Sequence, residues 1–322
     1  MKSEGNRFKK IISDPTFKSY AGVILMILIV GILLSIRNPR FLTTNNILNI
    51  LRQISVYGLL ASGMAFFIIT GGIDLSVGSV AGVSGAIVAQ CITKDILPVW
   101  IAVIISLIVS LLIGCISGLA IAMVEVPPFA MTLGVQISLR GACYLLCEGK
   151  PIGNLPTYME VLGLGNTLGI PTPIYFFVAV LIVSGIILCK TVFGRSLYAV
   201  GGNQQAAFQA GINAKRIKVY AYMVSGFFAA IAGIILTARN ASAQPTGGSA
   251  FETEAIAACV MGGISMSGGS GSIIGVFFGA LLMGIINNGM NLLYIDSYWQ
   301  MVIKGLVIIA AIIYSIFSSK KR

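Results

Sequence analysis

Ten apolar stretches alternate with shorter polar segments along the chain, and this pattern predicts a membrane protein built from helices. A helix needs roughly 20 apolar residues to cross the hydrocarbon core of a bilayer, and most of the stretches approach that length. The predicted transmembrane helices lie at residues 20–36, 53–70, 76–91, 98–123, 129–147, 173–190, 219–238, 254–266, 272–293 and 298–316. The predicted fold class is all-α, a polytopic membrane protein of about ten transmembrane helices with both termini in the cytosol.

These helices divide the chain into one large domain and two short tails. We predict a cytosolic N-terminal tail at residues 1–19, a transmembrane domain at 20–317, and a basic cytosolic tail at 318–322. The first apolar stretch runs unbroken, and no convincing A-x-A-like cleavage site follows it. We therefore expect the N-terminal tail to be retained.

The basic residues indicate the orientation of the chain. It has 21 Lys and Arg against 10 Asp and Glu, a net charge of +11. With the helices above, thirteen basic residues fall on the cytosolic side and six outside, as expected from the excess of basic residues in cytosolic loops. Only 10% of residues are charged and 57% are hydrophobic, whereas a soluble domain has about 25% charged residues. The positive charge therefore reflects membrane orientation and lipid contact, and we expect no nucleic-acid partner.

Several groups on which enzymes depend are missing from the sequence. The chain has no His and no phosphate-binding G-x-x-x-x-G-K-[ST] motif, so it should not hydrolyse ATP. Cys143 and Cys147 share a helix face but lack His or carboxylate neighbours, so small buried side chains are favoured over a metal site. We predict a non-catalytic chain with no bound metal or cofactor.

Two glycine-rich segments interrupt the apolar pattern. Residues 71–79 read GGIDLSVGS and residues 262–270 read GGISMSGGS, with six of nine positions identical. The similarity is either an internal repeat or chance. Such breaks often mark the path of a transporter, and their backbones need hydrogen-bond partners inside the protein. Glycines also recur at helical spacing, as at Gly271, Gly275 and Gly279, which predicts close helix packing.

The longest polar interruption in the second half of the chain is residues 193–220. It contains Arg195, Lys215, Arg216 and Lys218, which favours the cytosolic side. Nothing in it suggests nucleotide, metal or covalent chemistry. We interpret it as a docking surface for an external motor, with Phe208 and Ile212, four residues apart, forming one apolar helix edge.

Six sequence blocks, in order, span roughly residues 40–317. Together they resemble the membrane permease subunit of ribose-type sugar ABC importers. The blocks are FLTTNNILNILRQIS at 41–55, GGIDLSVGS at 71–79, FGRSLYAVGGNQQAAFQAGI at 193–212, VSGFFAAIAGIILTAR at 224–239, ETEAIAACVMGGISMSGGSGS at 252–272, and NNGMNLLYIDSYWQMVIKGLVIIAA at 287–311.

The resemblance implies a transport subunit with several partners in the plasma membrane of a bacterium. An extracellular or periplasmic sugar-binding protein would deliver the sugar, and a second permease subunit, identical in a homodimer, would complete the path. A cytosolic ATP-binding subunit would carry ATP and Mg. Residues 193–218 would form the coupling loop, whose family motif matches Gly201, Gly202, Asn203, Ala206, Ala207, Gly211 and Ile212. Gln209 and Ala210 depart from the Leu and Ser often found there, which puts the identity of the ATPase in doubt more than the role of the loop.

Polar residues near the predicted helices are candidates for the translocation path. Asp74 and Ser76 lie in the first break, where Asp74 either caps the next helix or contacts sugar, and we favour the cap. Asn287, Asn288 and Asn291 lie near the outer end of a span. They either contact sugar or make hydrogen bonds between helices, and we favour the latter.

Glu252 and Glu254 lie at the predicted extracellular start of the eighth span. They either stabilise that helix N-terminus or contact a basic face of the binding protein. The outer loop at 147–172 is a second candidate contact or a plain connector, and its Pro, Gly and Asn residues predict an irregular segment.

We therefore expect the permease of an ATP-driven importer for a ribose-like pentose or related monosaccharide. The alternative is a secondary transporter of a small polar solute driven by an ion gradient, which the absence of His and the scarcity of carboxylates within spans disfavour. The sequence does not select among ribose, xylose, arabinose, galactose, a furanose signalling molecule and nucleosides. It also leaves open whether the second permease subunit is identical.

Overall fold

Helices account for most of the chain. A computed structural model describes residues 15–320 and the side chains of residues 21–313. The predicted tails therefore lie largely outside the described residues. In chain order the α-helices are α1 Pro15–Arg37, α2 Thr44–Ile68, α3 Val77–Thr93, α4 Val99–Met123, α5 Pro128–Leu146, α6 Thr157–Leu164, α7 Thr172–Lys190, α8 Val192–Gly202, α9 Gln204–Gln209, α10 Ala214–Arg239, α11 Phe251–Met261, α12 Ile273–Leu292 and α13 Ser297–Lys320.

Each of the ten predicted spans contains one of these helices. Within the described residues, six helices are long and apolar enough to cross a membrane, namely α2, α4, α5, α7, α10 and α12. Shorter apolar segments occupy Ala21–Arg37, Val77–Thr93 and Ser297–Ile313. The prediction of a helical, polytopic membrane protein is confirmed. The number of crossings and the side of each terminus stay predictions.

The eighth predicted span, 254–266, differs most from the structure. The corresponding helix α11 has 11 residues, a length of about 16 Å, which is roughly half of the hydrocarbon thickness. It ends because Gly263 adopts a φ of +82°, a conformation that suits glycine. The chain then continues to α12 as a loop, so α11 is a half-length helix beside a broken segment.

The centre of the fold is the contact between α2 and α10. The ring of Phe67 stacks on that of Tyr222 with centroids 5.2 Å apart, and Phe66 meets Phe228 edge to face at 6.1 Å. In contrast, most apolar side chains of α4, α5 and α7 are exposed or half-buried. Hydrophobicity alone therefore does not separate the helices of the core from those at the surface of the chain.

Small residues bring the core helices into direct backbone contact. A methyl group built on Gly233 of α10 would overlap the carbonyl oxygen of Ala81 on α3, and one on Gly279 would overlap that of Ala258. Gly114 and Gly118 of α4 fit against α10 in the same way. The predicted close packing is confirmed at these positions. Gly271 precedes α12 and has a φ of +150°, so it does not continue the helical stripe.

The outer loop at 147–172 is more regular than the sequence predicts. It contains α6 and a hairpin of two short strands, β1 Asn166–Thr167 and β2 Ile170–Pro171. Ile152 and Ala243 exchange both backbone hydrogen bonds at 2.9 Å. The loop is thereby attached to the segment that joins α10 and α11.

Replacing Gly233 with Ala should destabilise the protein because the added methyl group would overlap the backbone of Ala81. Overpacking of this kind costs about 1–3 kcal/mol. The control is Gly141→Ala on α5, where a methyl group meets nothing within 4 Å and helix propensity improves. The thermal midpoint in detergent should fall for the first variant only. Equal midpoints would contradict the packing described here.

Candidate functional site

The predicted docking segment folds as two short helices, α8 and α9, joined at Asn203. The Asn203 side chain accepts hydrogen bonds from the backbone N–H groups of Gln205 and Ala206, both at 3.0 Å. These are groups that the first turn of a helix leaves unpaired. Thr191 caps α8 in the same way through Gly194, at 3.1 Å. One cap just before the segment and one within it fix the course of the backbone.

The end of α9 is closed by a glycine motif. Gly211 has a φ of +81°, its N–H bonds to Phe208 O at 2.9 Å, and the N–H of Ile212 bonds to Ala207 O at 3.0 Å. This is the Schellman pattern of helix ends. Because the helix ends at Gln209, Phe208 and Ile212 do not form one helical edge, and that interpretation is wrong.

The seven residues matched to the coupling motif divide into an inner and an outer set. Ala207 is buried and packs with Val200 and Ala214, and Ile212 covers this cluster. Gly202, Asn203, Ala206 and Gly211 are exposed, and Gly201 is half-buried. The inner set therefore holds α9 against the protein, and the outer set lies on its free side.

One face of α9 offers its side chains to solvent. We call Gln204, Gln205, Ala206, Phe208 and Gln209 the α9 face, and all five are exposed. Phe208, 76% exposed, is its large apolar side chain. Arg195, Lys215 and Arg216 lie nearby in the chain and are also exposed. An exposed aromatic residue among amides, with basic residues on either side in sequence, suits contact with another protein.

In the first glycine-rich break, Asp74 and Ser76 bind each other. The Asp74 carboxylate accepts hydrogen bonds from the Ser76 N–H at 2.8 Å and its hydroxyl at 2.5 Å. Both residues are buried. The hydroxyl of Tyr222 donates to Ile73 O at 3.4 Å. Asp74 thus orders the turn that enters α3 and does not cap an N–H group within the helix. The choice between a structural role and a sugar contact stays a prediction.

The three asparagines of α12 each bond to a different part of the protein. Asn287 donates to the carboxylate of Glu254 at 3.2 and 3.3 Å. Asn288 and Asn46 exchange hydrogen bonds at 2.8 and 2.9 Å, and Asn291 accepts from Gln300 at 2.9 Å. The structure thus favours interhelical hydrogen bonding over a sugar site at these positions.

Glu252 and Glu254 are both buried, with 7% of each residue exposed. Glu254 forms an ion pair with Lys304 of α13 at 2.8 Å. Glu252 accepts a hydrogen bond from Gln136 of α5 at 3.0 Å. Neither side chain lies at the surface, so their interpretation as contacts for a binding protein is not supported. Their position in the first turn of α11 agrees with the helix-stabilising alternative.

Comparison with known proteins identifies the family. Residues 46–312 match the family described as "Branched-chain amino acid transport system / permease component". The chain is 46% identical to the ribose import permease protein of Bacillus subtilis, over 91% of each chain. It is 43% identical to the ribose import permease protein of Haemophilus influenzae, over 95% of this chain and 94% of the relative. This chain belongs to the ribose-type branch of that permease family.

The resemblance seen in the sequence blocks is therefore confirmed for nearly the whole chain. The L-arabinose transport system permease protein of Escherichia coli is also similar, at 38% identity over 94% of this chain and 92% of the relative. The relatives of this chain are thus named as permeases for more than one sugar. No solved structure matches the chain.

Sequence reasoning missed the partners of the buried carboxylates in this permease. In the sequence, Lys304 and Arg140 are single charges within apolar stretches, which is a signal of function or pairing. Arg140 donates to the carbonyl oxygens of Gly247, at 2.7 Å, and Pro245, at 3.3 Å. It thereby fixes the segment that leads into α11.

Removing Lys304 should destabilise the permease, because Glu254 would be left in a buried position without its ionic partner. Breaking a buried pair from one side costs about 3 kcal/mol. The double variant Glu254→Gln with Lys304→Met should be more stable than Lys304→Met alone. The control is Lys94→Met, which breaks the exposed pair with Glu148 and should cost less than about 1 kcal/mol. Equal losses of unfolding free energy for the two single variants would contradict a buried pair.

Proposed function

We propose that this chain is the membrane-spanning permease of an ATP-driven importer for a ribose-like monosaccharide. Two findings support the proposal. Relatives that match over nine-tenths of the chain are named ribose import permeases, and the α9 face is held firmly and left exposed. The permease would move the sugar, while ATP and Mg would bind to a separate cytosolic subunit.

The α9 face is the proposed contact with that ATPase subunit. Its backbone is fixed by Asn203 at one end and by Gly211 at the other. A rigid element loses little conformational freedom on binding, so preorganisation favours affinity. The exposed ring of Phe208 would fill an apolar pocket, and Gln209 would set the fit to a particular ATPase in place of the Leu common in the family.

The proposed topology has ten spans, with both termini and α9 on the cytosolic side. The basic residues of the 193–220 segment support this orientation. In this orientation the loop at 147–172, with α6 and the hairpin, lies on the extracellular side of the membrane, where a sugar-binding protein would dock. A second copy of the permease would complete the path, and the bacterial plasma membrane would be its location.

Asp substitution at Phe208 should abolish transport by preventing ATPase binding. The side chain is exposed, so folding and membrane insertion should be normal, whereas a charge in an apolar pocket is costly. The matched control is Phe208→Leu, which keeps an apolar group. Co-purification of the ATPase should fall at least about tenfold for the Asp variant, as for a central anchor residue. Unchanged co-purification would contradict the role of the α9 face.

The proposed orientation predicts that Gln205→Cys reacts with a membrane-impermeant thiol reagent only after the membrane is opened. Gln205 is exposed at the start of α9, so access to the thiol would depend on the side of the membrane. The background protein should have its own six cysteines replaced by Ser or Ala. Labelling in intact cells would show that α9 lies outside the cell and would contradict the proposed topology.

A further inference from the structure

Three distant segments meet backbone to backbone beside α9. They are residues 69–72, which lead from α2 into the first break, residues 268–271, which lead from the second break to α12, and residues 198–202 at the end of α8. We call them together the glycine junction. Gly269 N–H donates to Ile69 O at 2.8 Å, and the Tyr198 hydroxyl donates to Gly271 O at 2.9 Å. The junction therefore joins the two glycine-rich breaks to the segment that precedes α9.

The junction has almost no room for side chains. A methyl group on Gly201 would overlap Ile69 O and lie 2.6 Å from Gly269 N. One on Gly268 would lie 2.9 Å from Gly71 N and 3.0 Å from Gly201 O. Gly268 and Gly269 also have φ values of +85° and +75°, which favour glycine. Shape and backbone conformation thus both require glycine here.

We propose that the glycine junction is a positioning element that transmits movement of α9 to both breaks of the transport path. The proposal rests on the proposed function, in which an ATPase moves α9. It assigns Gly201, Gly268, Gly269 and Tyr198 to coupling within the permease, and it leaves contact with the ATPase to the α9 face.

Contacts between backbones suit this task. A long side chain at an interface can change rotamer and absorb a displacement, whereas closely packed backbone has no such freedom and passes the strain on. From residues 69–72 the displacement would reach α3 through the bonds between Asp74 and Ser76. From residues 268–271 it would reach the end of α11, whose first turn carries Glu252 and Glu254. One movement would shift both helices together.

The test separates coupling from assembly in the complete complex, reconstituted in vesicles with its ATPase and binding protein. Gly268→Ala should bind the ATPase as the unchanged protein does, while ribose transported per ATP hydrolysed falls about tenfold, within the range typical of coupling between sites. Gly141→Ala is the control, since its methyl group meets nothing within 4 Å. Transport per ATP equal to that of the control would overturn the proposal, as would loss of ATPase binding in step with transport.

Tyr198→Phe covers the case in which Gly268→Ala fails to fold. It removes the hydroxyl that donates to Gly271 O and keeps the ring. One hydrogen bond at the junction should change transport per ATP by about threefold, with ATPase binding unchanged, and an unchanged ratio would overturn the proposal. Failure of the unmodified chain to bind any ATPase would instead refute the proposed function.

Discussion

The fold depends on one constraint, which is that backbone polar groups inside a bilayer must find partners within the protein. The two glycine-rich breaks interrupt helices and would leave such groups unpaired. The structure resolves this by bringing the second break against the segment that leads into the first, so that Gly269 N–H pairs with Ile69 O. Glycine is required because only a residue without a side chain lets these backbones approach. The same close approach holds α10 against α3 and α4.

Much of this architecture is readable in the sequence, because hydrophobic length and small-residue spacing are local properties. All ten predicted spans contain helices, and the preference for Asp74 as a structural residue agrees with its bonds to Ser76. The partners of Glu254 and Arg140 were not predictable, since they depend on which helices lie side by side. The error at Phe208 and Ile212 arose because the spacing of four implied a continuous helix, whereas Gly211 ends α9.

The polar residues first considered as path candidates are mostly engaged with other protein groups. Asn287 and Lys304 bind Glu254, and Asn46 binds Asn288. Such bonds stabilise the arrangement of α2, α11, α12 and α13 within the described residues. This division of labour fits a permease that leaves selection of the sugar to a binding protein and contributes movement. It also fits relatives named for ribose, arabinose and allose, all of which are similar to this chain in sequence.

The central claim, that an ATPase drives this permease, is tested most directly by sugar uptake into vesicles that contain the complete complex. Labelled ribose should accumulate when ATP is supplied on the side of α9, with ion gradients collapsed by an ionophore. Accumulation without ATP, sustained by an ion gradient alone, would contradict the claim and indicate a secondary transporter.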